Sequence, residues 1–130
     1  MAREIRSHHD LKVWQLGMDV CERIYALTRD FPTDERFGLI SQLRRAAISV
    51  PANIAEGNAR SSTKEYLRHL SIAIGSLAEV ETFLELAARL AYGQPVAIRQ
   101  LMDSIGEERR MLRGLQRSLR LKLSSGSSDL

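Results

Sequence analysis

The stretch Gln42–Gly57, QLRRAAISVPANIAEG, decides the fold of this chain. Its apolar residues recur at helical spacing on both sides of Pro51, and no turn signal interrupts them. A proline inside a helix removes one backbone donor, frees the carbonyl oxygen four residues earlier, near Ala47, and bends the helix. The stretch therefore predicts a bent helix within a helical bundle, and it carries no sign of a reaction.

Capping residues and prolines on either side of this stretch mark the ends of the other helices. Asp10 is a candidate N-cap for the first helix, and Pro32 disfavours helical backbone at the residue before it. Ser62 and Glu65 have the spacing of a capping box that opens the third helix, and Pro95 follows its end. We predict helices over about residues 10–30, 34–57, 63–92 and 96–121.

The fold class that follows is all-α, an antiparallel up-down four-helix bundle with a proline-bent second helix. Helix three carries a heptad seam whose spacings alternate between four and three residues, and helix four repeats this pattern with Glu108 interrupting it. The seam of helix three is Tyr66, Leu70, Ala73, Leu77, Val80, Leu84, Ala87 and Ala91. The predicted organisation is a flexible arm over residues 1–9, the bundle over 10–122 and a disordered tail over 123–130.

Helix one has more apolar surface than a single seam requires. One stripe consists of Leu11, Trp14, Met18, Cys21 and Tyr25, and the other of Val13, Leu16, Val20, Ile24, Leu27 and Phe31. Helical geometry places the two stripes roughly 130° apart. Either helix one is wedged between two neighbours of its own bundle, or one stripe meets another subunit. We take the first stripe as an oligomer interface and predict an obligate homo-oligomer.

The composition favours a single cytoplasmic domain. Apolar residues make up 44% of the chain and aromatic residues 5%, which predicts an aliphatic core of closely packed helices. The lone Cys21 excludes an internal disulfide framework and suits a reducing compartment. No apolar run approaches the roughly 20 residues of a membrane span, and we expect no secretory signal at the start of this sequence. A net charge of +3 permits nucleic-acid binding without requiring it.

The sequence contains no motif of a known catalytic or metal site, so we predict a protein that is not an enzyme and that needs no cofactor or metal. His8 and His9 fall in the predicted arm. His69 lies one helical turn after Glu65, and we interpret the two as a surface pair because two ligands are too few for a metal site. Cys21 is interpreted as a small core or interface residue.

Polar residues of helix two align on one face. These are Gln42, Arg45, Ser49, Asn53 and Glu56, spaced at intervals of three and four residues. The face is either an ordinary solvated one or, because short hydrogen-bonding groups dominate it, a subunit interface, channel lining or ligand groove. Asn53 and Ser49 are also placed to satisfy backbone groups freed around Pro51.

Three charged residues fall near predicted seams, namely Arg44, Glu81 and Glu108. Unpaired burial of a charge is costly, so each is expected to find a partner or to reach solvent along its own side chain. Their predicted role is to fix the register of the helices or contacts between subunits.

Helix four carries a basic cluster with no acidic residue inside it. Its members are Arg109, Arg110, Arg113, Arg117, Arg120 and Lys122. The guanidinium fork donates two hydrogen bonds to a phosphate, so the cluster predicts a nucleic-acid-binding face. The alternative is a solvated face whose cations suit the carboxyl end of a helix. No aromatic residue is interleaved, so any binding is expected to use phosphates with little sequence preference.

Several segments together carry a family resemblance. They are LKVWQ at residues 11–15, Phe31-Pro32, the block over residues 42–57, KEYLRHL at 64–70 and AIGSLAEVET at 73–82. With these residues the chain resembles the four-helix-bundle family of 23S rRNA intervening-sequence proteins over roughly residues 10–120. Helix four matches the family only in general character, so the resemblance does not extend to the basic cluster.

The resemblance implies a bundle that assembles into a homopentamer. The family is also similar to the accessory variability protein of diversity-generating retroelements, a basic pentamer that contacts a reverse transcriptase and nucleic acid. Combining this with the basic cluster, we expect a non-enzymatic oligomer that binds structured RNA or DNA. The alternative is an assembly scaffold whose partner is another protein, without direct nucleic-acid contact.

Overall fold

Four helices make up most of the chain in the computed structural model, which describes residues 7–126. They are α1 (Lys12–Thr28), α2 (Leu39–Ala59), α3 (Thr63–Arg89) and α4 (Pro95–Ser124), and short 3-10 turns cover His8–Asp10 and Thr33–Glu35. No strand occurs within the described residues. The predicted all-α class and four-helix bundle are therefore confirmed.

Capping explains where the helices begin. Ser62 Oγ accepts a hydrogen bond from the Glu65 amide at 3.3 Å, which confirms the predicted start of α3. Asp10 does not cap α1, because it lies in the 3-10 turn and Leu11 occupies the N-cap position. The second helix begins at Leu39, whose amide donates to Glu35 Oε1 at 3.0 Å, so the preceding segment is a 3-10 turn and not the first turn of α2.

Each helix packs mainly against two neighbours, in the cyclic order α1, α2, α3, α4. Consecutive helices are antiparallel, as the short connections between them require. None of the helices in this part of the chain combines the length and the apolar character that a bilayer span needs. Residues 1–6 of the predicted arm and 127–130 of the predicted tail lie outside the described residues.

The core lies between the four helices and is aliphatic. The predicted seam of α3 is fully buried from Leu70 to Ala87, whereas Ala91 is exposed at the following turn with a φ of 61°. In α1 the stripe that includes Val20 and Ile24 faces this core. The side chains that are almost completely buried include Ile24, Leu43, Ile54, Leu70, Leu77, Leu84, Leu101, Ile105 and Leu112.

The second helix continues through Pro51 without a break. The Ala47 carbonyl, whose usual donor is missing because residue 51 is proline, accepts a hydrogen bond from the Cys21 thiol of α1 at 3.0 Å. One turn earlier on α1, Gly17 faces the Pro51 ring, with the position of a β-carbon on Gly17 only 3.4 Å from Pro51 Cβ. Two positions of α1 thus accommodate the proline of α2.

Two glycines in the interiors of α2 and α3 provide a matched test of this packing. A β-carbon at Gly57 would lie 2.8 Å from His69 Cβ and 3.0 Å from Tyr66 Cδ1, whereas one at Gly75 would meet no atom within 4 Å. We expect Gly57→Ala to lower the free energy of unfolding by about 1–3 kcal/mol through overpacking. Gly75→Ala should raise it by about 0.5–1 kcal/mol through helix propensity. Urea denaturation measures both, and equal effects of the two substitutions would contradict this view of the α2–α3 contact.

Candidate functional site

The basic cluster of α4 divides into one paired and several free side chains. Arg109 donates through Nη2 to Glu81 Oε1 of α3, and both side chains are about one-third exposed. This ion pair links α3 to α4, and it confirms the expectation that Glu81 would be paired. Arg109 is thus engaged in helix packing and is the least available of the predicted phosphate-binding residues.

The remaining cations of the cluster are exposed along the carboxyl-terminal half of α4. They are Arg110, Arg113, Arg117, Arg120 and Lys122. The four arginines follow spacings of three, four and three residues, which places them on one helix face. Arg113 donates to Gln116 Oε1 at 3.5 Å, and none of the five forms an ion pair with an acidic side chain of residues 7–126.

A buried glutamine secures this half of α4 to the bundle. The Gln116 side chain is 1% exposed, and its Nε2 donates to Ser71 Oγ of α3 at 3.3 Å. Sequence reasoning missed Gln116, although it follows Leu112 by one turn in the same seam. Together with the Arg109–Glu81 pair, this contact fixes the direction in which the exposed arginines project.

The predicted polar stripe of α2 is only partly a surface. Gln42 and Arg45 are exposed and bind each other, with Arg45 Nη2 donating to Gln42 Oε1 at 2.7 Å. Ser49 and Asn53 instead face α3: Asn53 Nδ2 donates to the Ser49 carbonyl at 2.9 Å and to Ser49 Oγ at 3.0 Å. Ser76 Oγ of α3 donates to Ser49 Oγ at 2.8 Å. This half of the stripe forms a hydrogen-bonded contact between α2 and α3.

His69 completes that contact and corrects the prediction of a surface pair. It is 3% exposed, and its Nδ1 lies 3.0 Å from Asn53 Oδ1, while Glu65 pairs with Arg68 on the surface. Asn53 Nδ2 is already directed at Ser49, so Nδ1 of His69 is the donor in this hydrogen bond. Glu56, the last residue of the stripe, is exposed and places Oε2 3.8 Å from His69 Nδ1.

Glu108 departs from the expectation that each charge near a seam finds a partner. It is completely buried, and neither carboxylate oxygen has a hydrogen-bond partner within the described residues. Burial raises its pKa to about 8. Its Oε2 lies 2.7 Å from the position that a β-carbon on Gly17 would occupy, so the carboxyl group lies against the backbone of α1 at this point. Gly17 was not singled out from the sequence, because a single glycine in a helix carries no such information.

The third charge near a seam, Arg44, behaves as expected. Its guanidinium carbon lies 4.4 Å from the centre of the Tyr25 ring, and its Nε donates to Thr28 Oγ1 at 2.9 Å. Arg44 therefore connects α2 to the end of α1 through stacking and a hydrogen bond.

Comparison with known proteins agrees with this architecture. The family model of the 23S rRNA-intervening sequence protein matches residues 9–114. The chain belongs to this family. A solved structure from Bacteroides thetaiotaomicron, described as a protein with unknown function from the S23 ribosomal protein family, shares the fold with a TM-score of 0.74. The two are 24% identical, and the match covers 81% of this chain and 95% of the other. No curated protein matches the chain.

The family match ends at residue 114, inside the basic face of α4. Arg117, Arg120 and Lys122 therefore lie beyond it. Membership of the intervening-sequence family accounts for the bundle but carries no information about these three cations. Any role of theirs has to be argued from their position and exposure in the structure.

The residues of the predicted oligomer interface differ in exposure, and only some of them are accessible to another subunit. Met18 is 40% exposed, Leu11 and Tyr25 are half-buried, and Trp14 packs within the chain against His8 and His9 with ring centres 5.0 Å apart. Cys21 is buried and bound to the Ala47 carbonyl, so it is unavailable to another subunit.

Beside this stripe, α1 and α2 form an exposed groove of about 470 Å³. It is lined by Tyr25, Arg36, Phe37, Ile40, Ser41, Arg44, Arg45 and Ile48. Phe37 is 85% exposed and Ile48 46%, so the groove presents apolar surface to solvent. Within residues 7–126 no cluster of three or more metal-binding side chains occurs.

The contact between Cys21 and the Ala47 carbonyl can be tested by a double-mutant cycle. Cys21→Ala should lower the free energy of unfolding by about 1 kcal/mol, because it leaves a buried carbonyl without its donor. Pro51→Ala restores a backbone donor to that carbonyl, so in this background the cost of Cys21→Ala should fall by at least about 0.5 kcal/mol. Urea denaturation of the four proteins measures the coupling, and additive effects would show that the thiol does not compensate for the proline.

Proposed function

We propose that this protein is a non-enzymatic oligomer that binds structured RNA or other nucleic acid through the carboxyl-terminal half of α4. The observation that carries the proposal is the set of exposed cations at residues 110–122, none of which forms an ion pair with an acidic side chain in the part of the chain that the structure describes. An arginine that is already ion-paired contributes little to phosphate binding, whereas arginines without a carboxylate partner on one helix face can direct the guanidinium fork at a phosphate.

The type of binding follows from the side chains that are present. The exposed face between residues 110 and 122 contains arginine and lysine but no aromatic ring, so it has no surface on which bases stack. Contacts to phosphates position a nucleic acid without reading its sequence. Oligomerisation repeats the face once per subunit, and several weak contacts then reinforce one another. The absence of catalytic motifs in the sequence favours binding over chemistry, and the single cysteine favours the cytoplasm.

A second candidate function, that of a protein assembly scaffold, is favoured by the groove between α1 and α2. Exposed Phe37 and Ile48 beside Arg36 and Arg45 are the residue types that are enriched where proteins bind one another. In this alternative the arginines of α4 are a solvated helix face, and the partner is a protein.

The nucleic-acid proposal is tested by replacing the three arginines of the free face. We expect Arg113→Gln, Arg117→Gln and Arg120→Gln together to preserve the fold, because all three are exposed and none belongs to the seam. The variant should bind structured RNA more weakly, and the slope of log affinity against log salt should fall by about two to three. Mobility-shift titrations with one structured RNA at several salt concentrations measure both quantities.

A matched variant separates this face from net charge. Arg29→Gln, Arg89→Gln and Arg99→Gln together remove the same charge from exposed positions near the opposite end of the bundle. This control should retain most of the affinity and the salt slope of the unmodified protein. Equal losses in both variants, or no RNA shift at tens of micromolar protein in low salt, would overturn the proposal and leave the scaffold as the better account.

The oligomer is tested at Met18, the most exposed residue of the proposed interface stripe. Light scattering at micromolar concentration should give several times the 14.7 kDa chain mass, and a pentamer is expected from the family resemblance. Met18→Glu should yield a folded chain of lower mass, because it places a charge within an apolar contact between subunits. Asp19→Ala, at the adjacent exposed position, serves as the control. A monomeric unmodified protein would contradict the oligomer, and an unchanged mass of Met18→Glu would contradict this interface.

A further inference from the structure

Within residues 7–126, the interior of the bundle contains a carboxyl group that takes part in no hydrogen bond or ion pair. Glu108 of α4 is 0% exposed, and neither of its carboxylate oxygens has a hydrogen-bond partner in residues 7–126. Buried polar groups in proteins are nearly always hydrogen-bonded, so an unpartnered buried carboxyl group requires an explanation. An apolar residue at this position would continue the seam of α4 at far lower cost.

The contact that Glu108 makes is with the backbone of α1. Its Oε2 lies against Gly17, because a β-carbon on that residue would be only 2.7 Å away. That same point is 3.4 Å from Pro51 Cβ of α2. The carboxyl group therefore lies at the junction of three helices, and α1 covers it.

No charge of the surrounding helices compensates Glu108. On α4 itself Arg109 is paired with Glu81 of α3, and Glu107 is exposed. The hydroxyl of Ser104, one turn earlier on α4, accepts a hydrogen bond from Arg23 Nη1 at 2.8 Å. The guanidinium of Arg23, a cation of α1, is thus directed at a hydroxyl and not at the carboxyl group.

The other titratable groups near this junction do not stabilise the charged form of Glu108 either. Cys21 of α1 has a pKa raised to about 12 by burial and by the charges of Glu108 and Glu22, so its thiol is neutral at physiological pH. Glu22 is exposed. From α2 the junction is approached by Pro51 and by the Ala47 carbonyl, neither of which titrates.

We propose that Glu108 is a proton-dependent latch that holds α1 in the bundle: its carboxyl group holds a proton in the closed bundle, and loss of that proton favours movement of α1 away from both α4 and α2. A neutral carboxylic acid fits an apolar junction, whereas a carboxylate there lacks both a counter-ion and a donor. Moving α1 away gives the carboxylate access to water. The latch is independent of the proposed nucleic-acid binding, because Glu108 does not belong to the exposed face of α4.

The direction of the pH dependence follows from the pKa of Glu108 in the two states. Burial raises it from 4.5 to about 8 in the closed bundle, and it returns to its ordinary value when the group is hydrated. Between these values the closed state binds more protons than the open or unfolded state, so its stability falls as the pH rises. The equilibrium should shift by up to tenfold per pH unit from about pH 5 to about pH 8 and then become independent of this group.

Chemical denaturation of the full chain between pH 5 and pH 9.5 tests the expected fall in stability as the pH rises. Glu108→Gln retains the shape of the side chain and cannot ionise, and Glu107→Gln makes the same change at the adjacent exposed position. The ratio of the unfolding constants of unmodified protein and Glu108→Gln should rise with pH up to about pH 8 and then level. Glu107→Gln should follow the unmodified protein. Parallel profiles of the unmodified protein and Glu108→Gln would overturn the proposal.

Alkylation of Cys21 in the native protein tests the opening itself. The thiol is buried beside α2 and becomes reactive when α1 moves away, and it is the only cysteine of the chain. After division by the rate in the denatured protein at each pH, the alkylation rate should rise between pH 6 and pH 8 in the unmodified protein and stay constant in Glu108→Gln. Equal pH profiles in the two proteins would overturn the latch.

If Glu108→Gln does not fold, the unmodified protein still decides the matter. A carboxyl group that titrates near pH 8 in the infrared spectrum of protein labelled with carbon-13 at glutamate would support the proposal. Titration of all glutamates near their ordinary pKa would overturn it.

Discussion

The proline inside α2 is the constraint on which the rest of the bundle depends. An unbroken helix that contains Pro51 leaves the Ala47 carbonyl without its usual donor, and a buried carbonyl in that state is costly. The structure solves this with a side chain of another helix, the Cys21 thiol. The register of α1 against α2 is thereby fixed, because only one residue of α1 lies opposite the orphaned carbonyl.

One turn earlier on α1, the same register brings Gly17 against the Pro51 ring and opens the space in which Glu108 lies. The three helices α1, α2 and α4 thus meet at a junction of a proline, a glycine and an unpaired carboxyl group. The contact between α2 and α3 is of a different kind, since hydrogen bonds join Ser49, Asn53, Ser76 and His69, although the buried Nε2 of His69 has no partner among the described residues. Hydrogen bonds between two helices favour one alignment over neighbouring ones, so this layer adds to the register that the apolar seam already sets.

The division of the basic cluster bears on the proposed binding of nucleic acid. Arg109 belongs to the packing between α3 and α4, whereas the four arginines from residue 110 to residue 120 face solvent. The buried Gln116 and its bond to Ser71 hold this part of α4 against α3. A rigid support is what allows a row of arginines to act together on a phosphate backbone, because flexible cations lose more entropy when they bind.

The sequence by itself determined the helical class and the start of α3 at Ser62. It also determined the buried seam from Leu70 to Ala87 and the passage of α2 through Pro51. These features depend on local propensity and on periodicity along a single helix. The membership of the 23S rRNA intervening-sequence family was also visible in the sequence. Only the tertiary structure decided which polar residues lie inside. His69 and Glu65 are one turn apart and fall on the same side of α3 by helical periodicity. Nevertheless, His69 is buried against Asn53, because α2 covers that part of α3. The tertiary structure also decided that Glu108 has no partner, that Cys21 binds the Ala47 carbonyl and that Arg109 is paired while the other arginines of α4 are not. Each of these depends on which neighbouring helix lies opposite, and such contacts between distant segments produce no periodic pattern in the sequence.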